Sequence, residues 1–275
     1  NQQLSAGARS FAAARQAAVQ ALCPGADIAA LLDKPNNNLA VEYCKAIIEQ
    51  NVEMQPIALP RQGADHGQAL TESAHAAFAS ASALRALWAE GGAAALAPYV
   101  PEKALKLYKQ AEYDGRYTDF AVMGHCELAL LRAACTEQAP FAAVRGVSEG
   151  LEHRLENAVR ETASLPALLD ALTTVRYPRA RMRRLAMDAA LGYTAQTPAL
   201  PPYLHLLGAR KEALPLPGET ALPLSHSLAR LARENETCAQ MAAAQSRASD
   251  LGALCRAKPE PMGGIYRQKI IFLTN

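Results

Sequence analysis

Most of the chain carries apolar residues at the spacing of one face of an α-helix. The clearest stripe consists of Val147, Leu151, Leu155, Ala158 and Val159, and most positions between them are polar or charged. Similar patterns, bounded by capping residues, prolines or glycines, predict helices near residues 11–22, 101–112, 119–134, 165–175, 178–191 and 236–255. Alanine and leucine supply most of the apolar surface and only 5% of residues are aromatic, which favours helices over strands. The chain is therefore predicted to be mainly α.

The first third of the chain shows a different order of elements. Its best strand candidate is Met54–Leu59, which Pro56 restricts to a sheet edge or to the start of a strand. A helix that ends near Gln50 precedes this segment, and a helix capped by Ser82 follows it. Helix, strand, long loop and helix in this order indicate part of an α/β unit. A single strand cannot form a sheet, so the partners of this strand are expected upstream of Asn1.

These patterns predict two domains. Residues 1–91 are predicted to be the C-terminal remnant of an α/β (Rossmann-like) domain, and residues 92–275 a mostly helical domain. Short strands are predicted at Tyr203–Leu207 and Ile270–Leu273 in the second domain.

Composition excludes several classes of function. A net charge of +2 is too small to imply nucleic-acid binding by itself, so any basic patch must be local. The six cysteines form no C-x-x-C pair and lie in apolar helical patterns, which favours a reducing, cytoplasmic setting. No two histidines have zinc-binding spacing, so no metal site is expected. No run approaches the about 18 apolar residues of a membrane span.

Three polar segments of the first domain end or begin predicted elements. Asn36 lies in a proline–asparagine stretch in which Asn37 or Asn38 can cap a helix, and such a helix start either binds an anion or is only well capped. Arg61 follows the strand candidate, where α/β folds place ligand contacts. Ser80, Ser82 and Arg85 begin the next helix, either as a phosphate cradle or as an ordinary serine cap with an exposed arginine.

The densest charge in the chain lies at residues 176–184, which hold five arginines and no acid. On a helical wheel, Met182, Leu185, Ala186 and Ala189 form one face, and Arg183 and Arg184 point away from it. Arg176, Arg179 and Arg181 complete the arginine set, and Tyr177 is a candidate for stacking on a base. The set either binds a phosphate-bearing partner or is a solvated face paired with acids elsewhere in the chain. Without interleaved glutamate, we favour the phosphate-bearing partner.

Five segments in order resemble the bacterial tRNA(Met) cytidine acetate ligase family. They are P-N-N-x-L-A-x-E-Y at 35–43, R-x-G-x-x-H at 61–66, S-A-S-A-L-R at 80–85, E-G-L-E-H-R-L at 149–155 and R-Y-x-x-x-R-x-R-R at 176–184. The resemblance runs from near Ser10 to about Leu207. It implies a nucleotidyltransferase-like domain followed by a helical tRNA-binding domain.

The resemblance also implies a reaction and its partners. Such enzymes activate acetate with ATP, with Mg as its usual counter-ion, and pass the acetyl group to N4 of the wobble cytidine of elongator tRNA(Met). By motif position, Asn36 and Arg61 are expected to contact ATP, and our extension adds Ser80, Ser82 and Arg85 as phosphate contacts. Arg176, Tyr177, Arg179, Arg181, Arg183 and Arg184 are expected to bind tRNA.

The chain departs from this family at one point. The family carries an H-x-G-H motif that stabilises the adenylation transition state, and no H-x-G-H occurs in this sequence. We therefore expect this chain to correspond to the downstream portion of the family, to lack catalytic residues of its own and to form no acetyl-adenylate alone. Three explanations stay open: the sequence is truncated, the upstream segment is a separate chain that acts as a partner, or this copy is degenerate. Two alternatives stay open: a non-catalytic RNA-binding module, and an adenylyltransferase that acts on a small phosphorylated cofactor.

Overall fold

The structure, a computed structural model, describes residues 11–24, 31–32, 35–59, 79–211 and 220–273. The chain divides into two compact units, residues 1–101 and residues 102–275. The functional division at 91/92 into a nucleotidyltransferase-like part and a tRNA-binding part stays a prediction.

Unit 1 is helical where it is described. Helix α1 spans Phe11–Leu22, α2 spans Pro35–Glu49 and α3 spans Ala81–Gly91, and a 3₁₀ turn follows at Ala93–Leu96. Arg15 of α1 and Glu42 of α2 form an ion pair at 2.7 Å.

The expected strand at Met54–Leu59 is wrong. Residues 52–59 form no secondary structure, and Met54, Ile57 and Leu59 are all exposed. A strand needs a neighbour to satisfy its N–H and C=O groups, and no strand is present among the described residues of unit 1. Apolar composition alone does not make this segment a strand without a pairing partner.

Two expected helix starts are also corrected. Helix α2 begins at Pro35, so Asn37 and Asn38 lie inside its first turn and do not cap it. Proline is favoured at the first helical position because its missing N–H needs no partner there, and Asn38 donates its side-chain amide to Leu32 O at 2.7 Å. Helix α3 is capped by Ser80 and not by Ser82, since Ser80 Oγ accepts from Ala83 N at 3.2 Å.

The helices of unit 2 follow the apolar pattern closely. They are α4 (Glu102–Asp114), α5 (Phe120–Ala134), α6 (Leu151–Glu161), α7 (Leu165–Leu172), α8 (Arg179–Ala190), α9 (Leu228–Leu231), α10 (Glu236–Leu254) and α11 (Gly264–Arg267). Asp119 caps α5, Ser164 caps α7, and Asn235 caps α10, each by accepting from backbone N–H groups. The prediction of a mainly α chain is confirmed.

One helix ends earlier than its pattern indicated. Helix α7 stops at Leu172, and Val175, expected on its apolar stripe, is 77% exposed. Thr173 Oγ1 donates to Leu169 O at 2.6 Å, and Thr174 Oγ1 accepts from Tyr177 N at 3.0 Å. The two threonines therefore take over backbone partners that a further helical turn would use.

The described residues of unit 2 form two apolar clusters and four short strands. Helices α5, α6, α7 and α8 pack around a core that includes Leu131, Phe141, Leu155, Leu168 and Met182. The second cluster holds Tyr203, Leu228, Leu231, Cys238 and Ala242. Strands β1 (Leu204–His205) and β3 (Leu224–Ser225) pair in parallel, as do β2 (Gly208–Arg210) and β4 (Ile271–Leu273).

Candidate functional site

Helix α8 divides its residues into a buried apolar face and an exposed basic face. Pro178 precedes its first residue and fixes an extended backbone there, with φ −60° and ψ 146°. Met182, Leu185, Ala186 and Ala189 are all buried, as the helical wheel predicted. Packing of this face against α5 and α7 fixes the direction in which the arginines of the other face point.

Arg183 and Arg184 are the two arginines of this face that form no ion pair among the described residues, although Arg183 acts at longer range on the buried Glu127 carboxyl. Both side chains are exposed. No carboxylate forms an ion pair with either one among the residues that the structure describes. Their guanidinium forks are therefore available for planar, bidentate contacts with phosphate.

The other three arginines of the set are held by unit 2 itself. Arg176 forms an ion pair with Glu149 at 2.5 Å, and Arg179 forms one with Asp170. Arg181 is half-buried and donates to Gly146 O at 3.5 Å. The interpretation of a face paired with acids therefore holds for Arg176 and Arg179, and it does not hold for Arg183 and Arg184.

Tyr177 is a buried residue of this surface. Its ring is only 9% exposed and belongs to the core of unit 2. Its hydroxyl donates to Glu149 Oε2 at 3.0 Å, and the guanidinium carbons of Arg176 and Arg181 lie 5.7 Å and 5.0 Å from the ring centroid. In this arrangement the ring supports two arginines by cation–π contacts and is not free to stack on a base.

Sequence reasoning missed a buried acid beneath the basic face. Glu127 of α5 is 1% exposed, and its Oε1 has no hydrogen-bond partner within the described parts of the chain. Burial raises the pKa of this carboxyl to about 7, and the positive charge of Arg183 opposes that rise. The sequence did contain a signal for this burial, because Glu127 lies at helical spacing from the buried residues Gly124, Leu128 and Leu131 and so shares their face of α5.

The candidate nucleotide contacts of unit 1 differ in how the structure places them. Asn36 is exposed in the first turn of α2, and Arg61 lies outside the described residues. Ser80 is 4% exposed and is occupied as the cap of α3. Ser82 and Arg85 are exposed. They lie three residues apart on α3 and therefore share one side of it.

The start of α3 keeps donors that an anion can use. Ser80 satisfies the N–H of Ala83, which leaves the N–H groups of Ala81 and Ser82 without intrahelical acceptors. These two groups, the Ser82 hydroxyl and Arg85 all lie at the positive end of the helix dipole. The structure thus gives Ser80 the role of organising this helix start and leaves Ser82 and Arg85 accessible.

Over the described ranges, no group of three or more His, Cys, Asp or Glu side chains is arranged to hold a metal ion. Within the same ranges, no helix is both long enough and apolar enough to cross a membrane. All six cysteines are free thiols.

Comparison with protein families gives a match over nearly the whole chain. The model described as HIGH Nucleotidyl Transferase matches residues 1–262. The tRNA(Met) cytidine acetate ligase of Listeria monocytogenes serovar 1/2a is 30% identical over 186 residues, which cover 66% of this chain and 45% of that protein. The enzyme of the same name from Geobacillus sp. strain WCH70 is 29% identical over 185 residues, which cover 64% and 45%. The chain thus spans less than half the length of these curated relatives, and the resemblance seen in the five motifs is confirmed.

Two crystal structures resemble the fold. Thermotoga maritima TmcAL bound with alpha-thio ATP aligns with a TM-score of 0.82 at 21% identity, over 99% of this chain and 69% of that one. The apo form of the same protein aligns with a TM-score of 0.83, also at 21% identity and with the same coverage. At this identity the likeness establishes the fold, so the expectation of a nucleotidyltransferase-like fold with a helical domain is confirmed.

Proposed function

The chain belongs to the HIGH nucleotidyl transferase family, and we propose from this premise that it is part of an ATP-dependent tRNA(Met) cytidine acetate ligase. In the proposed reaction an acetate oxygen attacks the α-phosphorus of ATP, which forms acetyl-adenylate and releases pyrophosphate. N4 of the wobble cytidine then attacks the acetyl carbon, which forms N4-acetylcytidine and releases AMP. The names of the curated relatives support this proposal.

The free arginine pair on α8 is the observation that carries the RNA-binding part of the proposal. Arg183 and Arg184 are exposed, are fixed by a buried helix face and have no acidic partner in the described region. Two bidentate cations on one rigid helix suit the phosphates of an RNA backbone. Arg181 adds charge at the edge of this surface, Arg176 and Arg179 would contribute only as far as Glu149 and Asp170 release them, and Tyr177 acts through Arg176 and Arg181.

The ATP-binding part rests on the two motif positions and on the start of α3. By the match of their motifs to the family, Asn36 and Arg61 would contact ATP. Ser82, Arg85 and the free N–H groups of α3 would hold a phosphate, with Ser80 as the cap that shapes them. Mg²⁺ would enter as the counter-ion of ATP. A neighbour in fold, Thermotoga maritima TmcAL, is bound to an ATP analogue, which supports nucleotide use.

A cytoplasmic location fits this proposal. Its tRNA substrate is cytoplasmic, and the chain holds six free thiols, which a reducing compartment preserves.

The RNA-binding claim is tested with the double variant Arg183→Ala, Arg184→Ala. We expect this variant to bind elongator tRNA(Met) at least about tenfold more weakly, with a salt slope reduced by roughly 1 to 2. The matched control is Arg230→Ala, Arg233→Ala, which removes two exposed arginines from outside the basic helix. Equal losses in the two double variants, or no loss in either, would contradict the assignment of the site to α8.

Nucleotide binding separates the proposal from its two rivals. Binding of ATP that weakens in Asn36→Ala and Arg61→Ala excludes a module that binds only RNA. Tight binding of a small phosphorylated cofactor without affinity for tRNA would favour the adenylyltransferase. Because the sequence holds no H-x-G-H, we expect no acetyl-AMP from this chain with ATP and acetate, and measurable formation would overturn that expectation.

A further inference from the structure

A cleft beside the basic helix has no role in the proposal so far. It encloses about 400 Å³, within the range typical of sites for small molecules or their parts. Its lining includes Arg145, Tyr193, Tyr203, His205, Gln245 and Ala248. All of these residues belong to unit 2.

The walls of the cleft are rigid, since side-chain hydrogen bonds hold both tyrosines to α10. Tyr193 donates its hydroxyl to Ala244 O at 2.9 Å, and Tyr203 donates its hydroxyl to Gln245 Oε1 at 2.8 Å. Burial raises the pKa of Tyr203 to about 12, so its hydroxyl stays a donor at neutral pH. The cleft is therefore formed before any ligand arrives.

The chemistry of the lining favours a flat, uncharged ligand. The one guanidinium of the lining, that of Arg145, is neutralised by Asp188, and it lies 5.4 Å from the centroid of the Tyr193 ring. Pro198, Pro201 and Met241 add apolar surface. A ring that enters this cleft meets the guanidinium plane of Arg145 and the half-buried ring of Tyr193, and unstacked bases stack on groups of these kinds. Tyr203 is only 4% exposed, so it supports the cleft and offers no open ring face.

Polar atoms are also present for the edge of such a ring. Gln245 lines the cleft, and its side-chain oxygen accepts from the Tyr203 hydroxyl at 2.8 Å. His205 also lines the cleft, and its Nδ1 is buried without a partner within the same part of the chain. Donor and acceptor groups of this kind match the edge of a nucleobase.

The cleft is linked to α8 through Arg145, which lines the cleft and pairs with Asp188 of α8. Asp188 follows Arg184 by four residues, so both lie on the same side of the helix, separated by about 6 Å along its axis. The Arg145 guanidinium, at the edge of the cleft, donates to both oxygens of Asp188. An RNA backbone that contacts Arg184 therefore lies about one helical turn from the Arg145–Asp188 pair at the edge of the cleft.

We infer that this cleft binds one unpaired nucleobase of the RNA whose backbone the arginines of α8 contact. The inference rests on the proposed function, because it requires that α8 binds RNA. It assigns a subsite that stabilises an extruded base and thereby positions the RNA.

The test closes the cleft with Ala248→Phe and compares it with Ala243→Phe on the same helix. Met241, Ala244, Gln245 and Ala248 line the cleft from one face of α10, whereas Ala243 is exposed and does not line it. The probe is a synthetic anticodon arm of elongator tRNA(Met), in which each loop nucleotide in turn is made abasic. Wild type and Ala243→Phe should lose about tenfold in affinity at one loop position. Ala248→Phe should bind the intact arm as weakly as wild type binds the arm that is abasic at the sensitive position. Removing the base at that position should cause no further loss of affinity in Ala248→Phe.

A second measurement uses only the wild-type chain. With 2-aminopurine at the sensitive position, stacking on the cleft rings should change the fluorescence on binding, and the same label elsewhere in the loop should respond less. Equal affinities of Ala248→Phe and Ala243→Phe for the intact arm would overturn the cleft inference and leave RNA binding by α8 standing. Failure of the wild-type chain to bind the arm would instead remove the proposed function and the inference that depends on it.

Discussion

Arg145 donates to both carboxylate oxygens of Asp188, with Nε–Oδ2 at 3.1 Å and Nη2–Oδ1 at 2.9 Å. The pair joins the segment before α6 to the last turn of the basic helix. Backbone hydrogen bonds join the same two segments through Tyr193. Arg145 N donates to Tyr193 O at 3.0 Å, and Tyr193 N donates to Asp188 O at 2.8 Å. Asp188 therefore positions one edge of the cleft and one end of α8 at once.

Substituting Asp188 should destabilise the chain more than substituting an acid of an ordinary surface pair. In Asp188→Asn we expect the free energy of unfolding to fall by about 1 kcal/mol, because a bidentate charged pair is lost but the arginine is partly solvated. The control is Glu102→Gln, which breaks the exposed Glu102–Lys106 pair and should cost about 0.5 kcal/mol or less. Urea unfolding monitored by circular dichroism measures both, and equal costs would contradict the structural role of Asp188.

Glu127 should make stability depend on pH in an unusual direction. Burial raises its pKa from 4.5 to about 7, so the folded state holds a proton that the unfolded state has released between these values. The contribution of Glu127 to stability is therefore largest below about pH 4.5. It falls as the pH rises from about 4.5 to about 7, and it is constant above that. The loss is about 3 kcal/mol at most.

The measurement is the free energy of unfolding between pH 5 and pH 8 for wild type and Glu127→Gln. The variant has no proton to lose, so its stability should fall less over this range and exceed that of wild type at pH 8. Glu137→Gln, which changes an exposed carboxyl outside the helices, serves as the control and should follow wild type. A Glu127→Gln profile parallel to that of wild type would show that the carboxyl is already ionised in the fold.

The division of α8 into two faces was predictable from sequence because it depends on local periodicity alone. The buried positions of Met182, Leu185, Ala186 and Ala189 follow from the 3.6-residue repeat and from their apolar character. The caps at Asp119 and Ser164 were predictable for the same reason, since a cap needs only its own first turn.

Whether each arginine is paired with an acid was not predictable from sequence, because the pairing depends on which residues of other elements the fold brings near. Two helices lie between Glu149 and Arg176 in sequence, and Asp170 and Arg179 lie on consecutive helices nine residues apart, so no helical spacing rule pairs either set. The strand expected at 54–59 failed for a related reason, because a strand exists only through its neighbours. Local patterns therefore located the basic surface, and tertiary pairing decided which of its charges are free.

Asp170 should limit the strength of RNA binding by holding Arg179. In Asp170→Asn the ion pair is lost and the Arg179 guanidinium becomes available to phosphate. We expect affinity for elongator tRNA(Met) to rise roughly threefold and the salt slope to steepen by up to about 1. The control is Asp114→Asn, which removes an acid paired with Arg116 outside the basic helix. Equal effects of the two substitutions would indicate a change of net charge only.

Gly115 ends helix α4 in a conformation that other residues resist. Its φ is +69°, and its N–H donates to Glu112 O at 3.0 Å while Arg116 N donates to Ala111 O at 2.8 Å, which is the hydrogen-bond pattern of a Schellman motif. An added Cβ would lie 2.8 Å from Cβ of Lys258. That contact is too close to be tolerated without movement of the chain around Lys258.

Gly115→Ala should therefore lower the free energy of unfolding by about 1 to 2 kcal/mol, through left-handed strain and this clash. Gly252 provides the opposite case, because it lies inside α10 with nothing within 4 Å of an added Cβ. Gly252→Ala should raise the free energy of unfolding by about 0.5 to 1 kcal/mol, since alanine loses less backbone entropy in a helix. Thermal unfolding of the two single variants measures both signs, and a stabilising Gly115→Ala would show that the turn after α4 relaxes to accept a side chain.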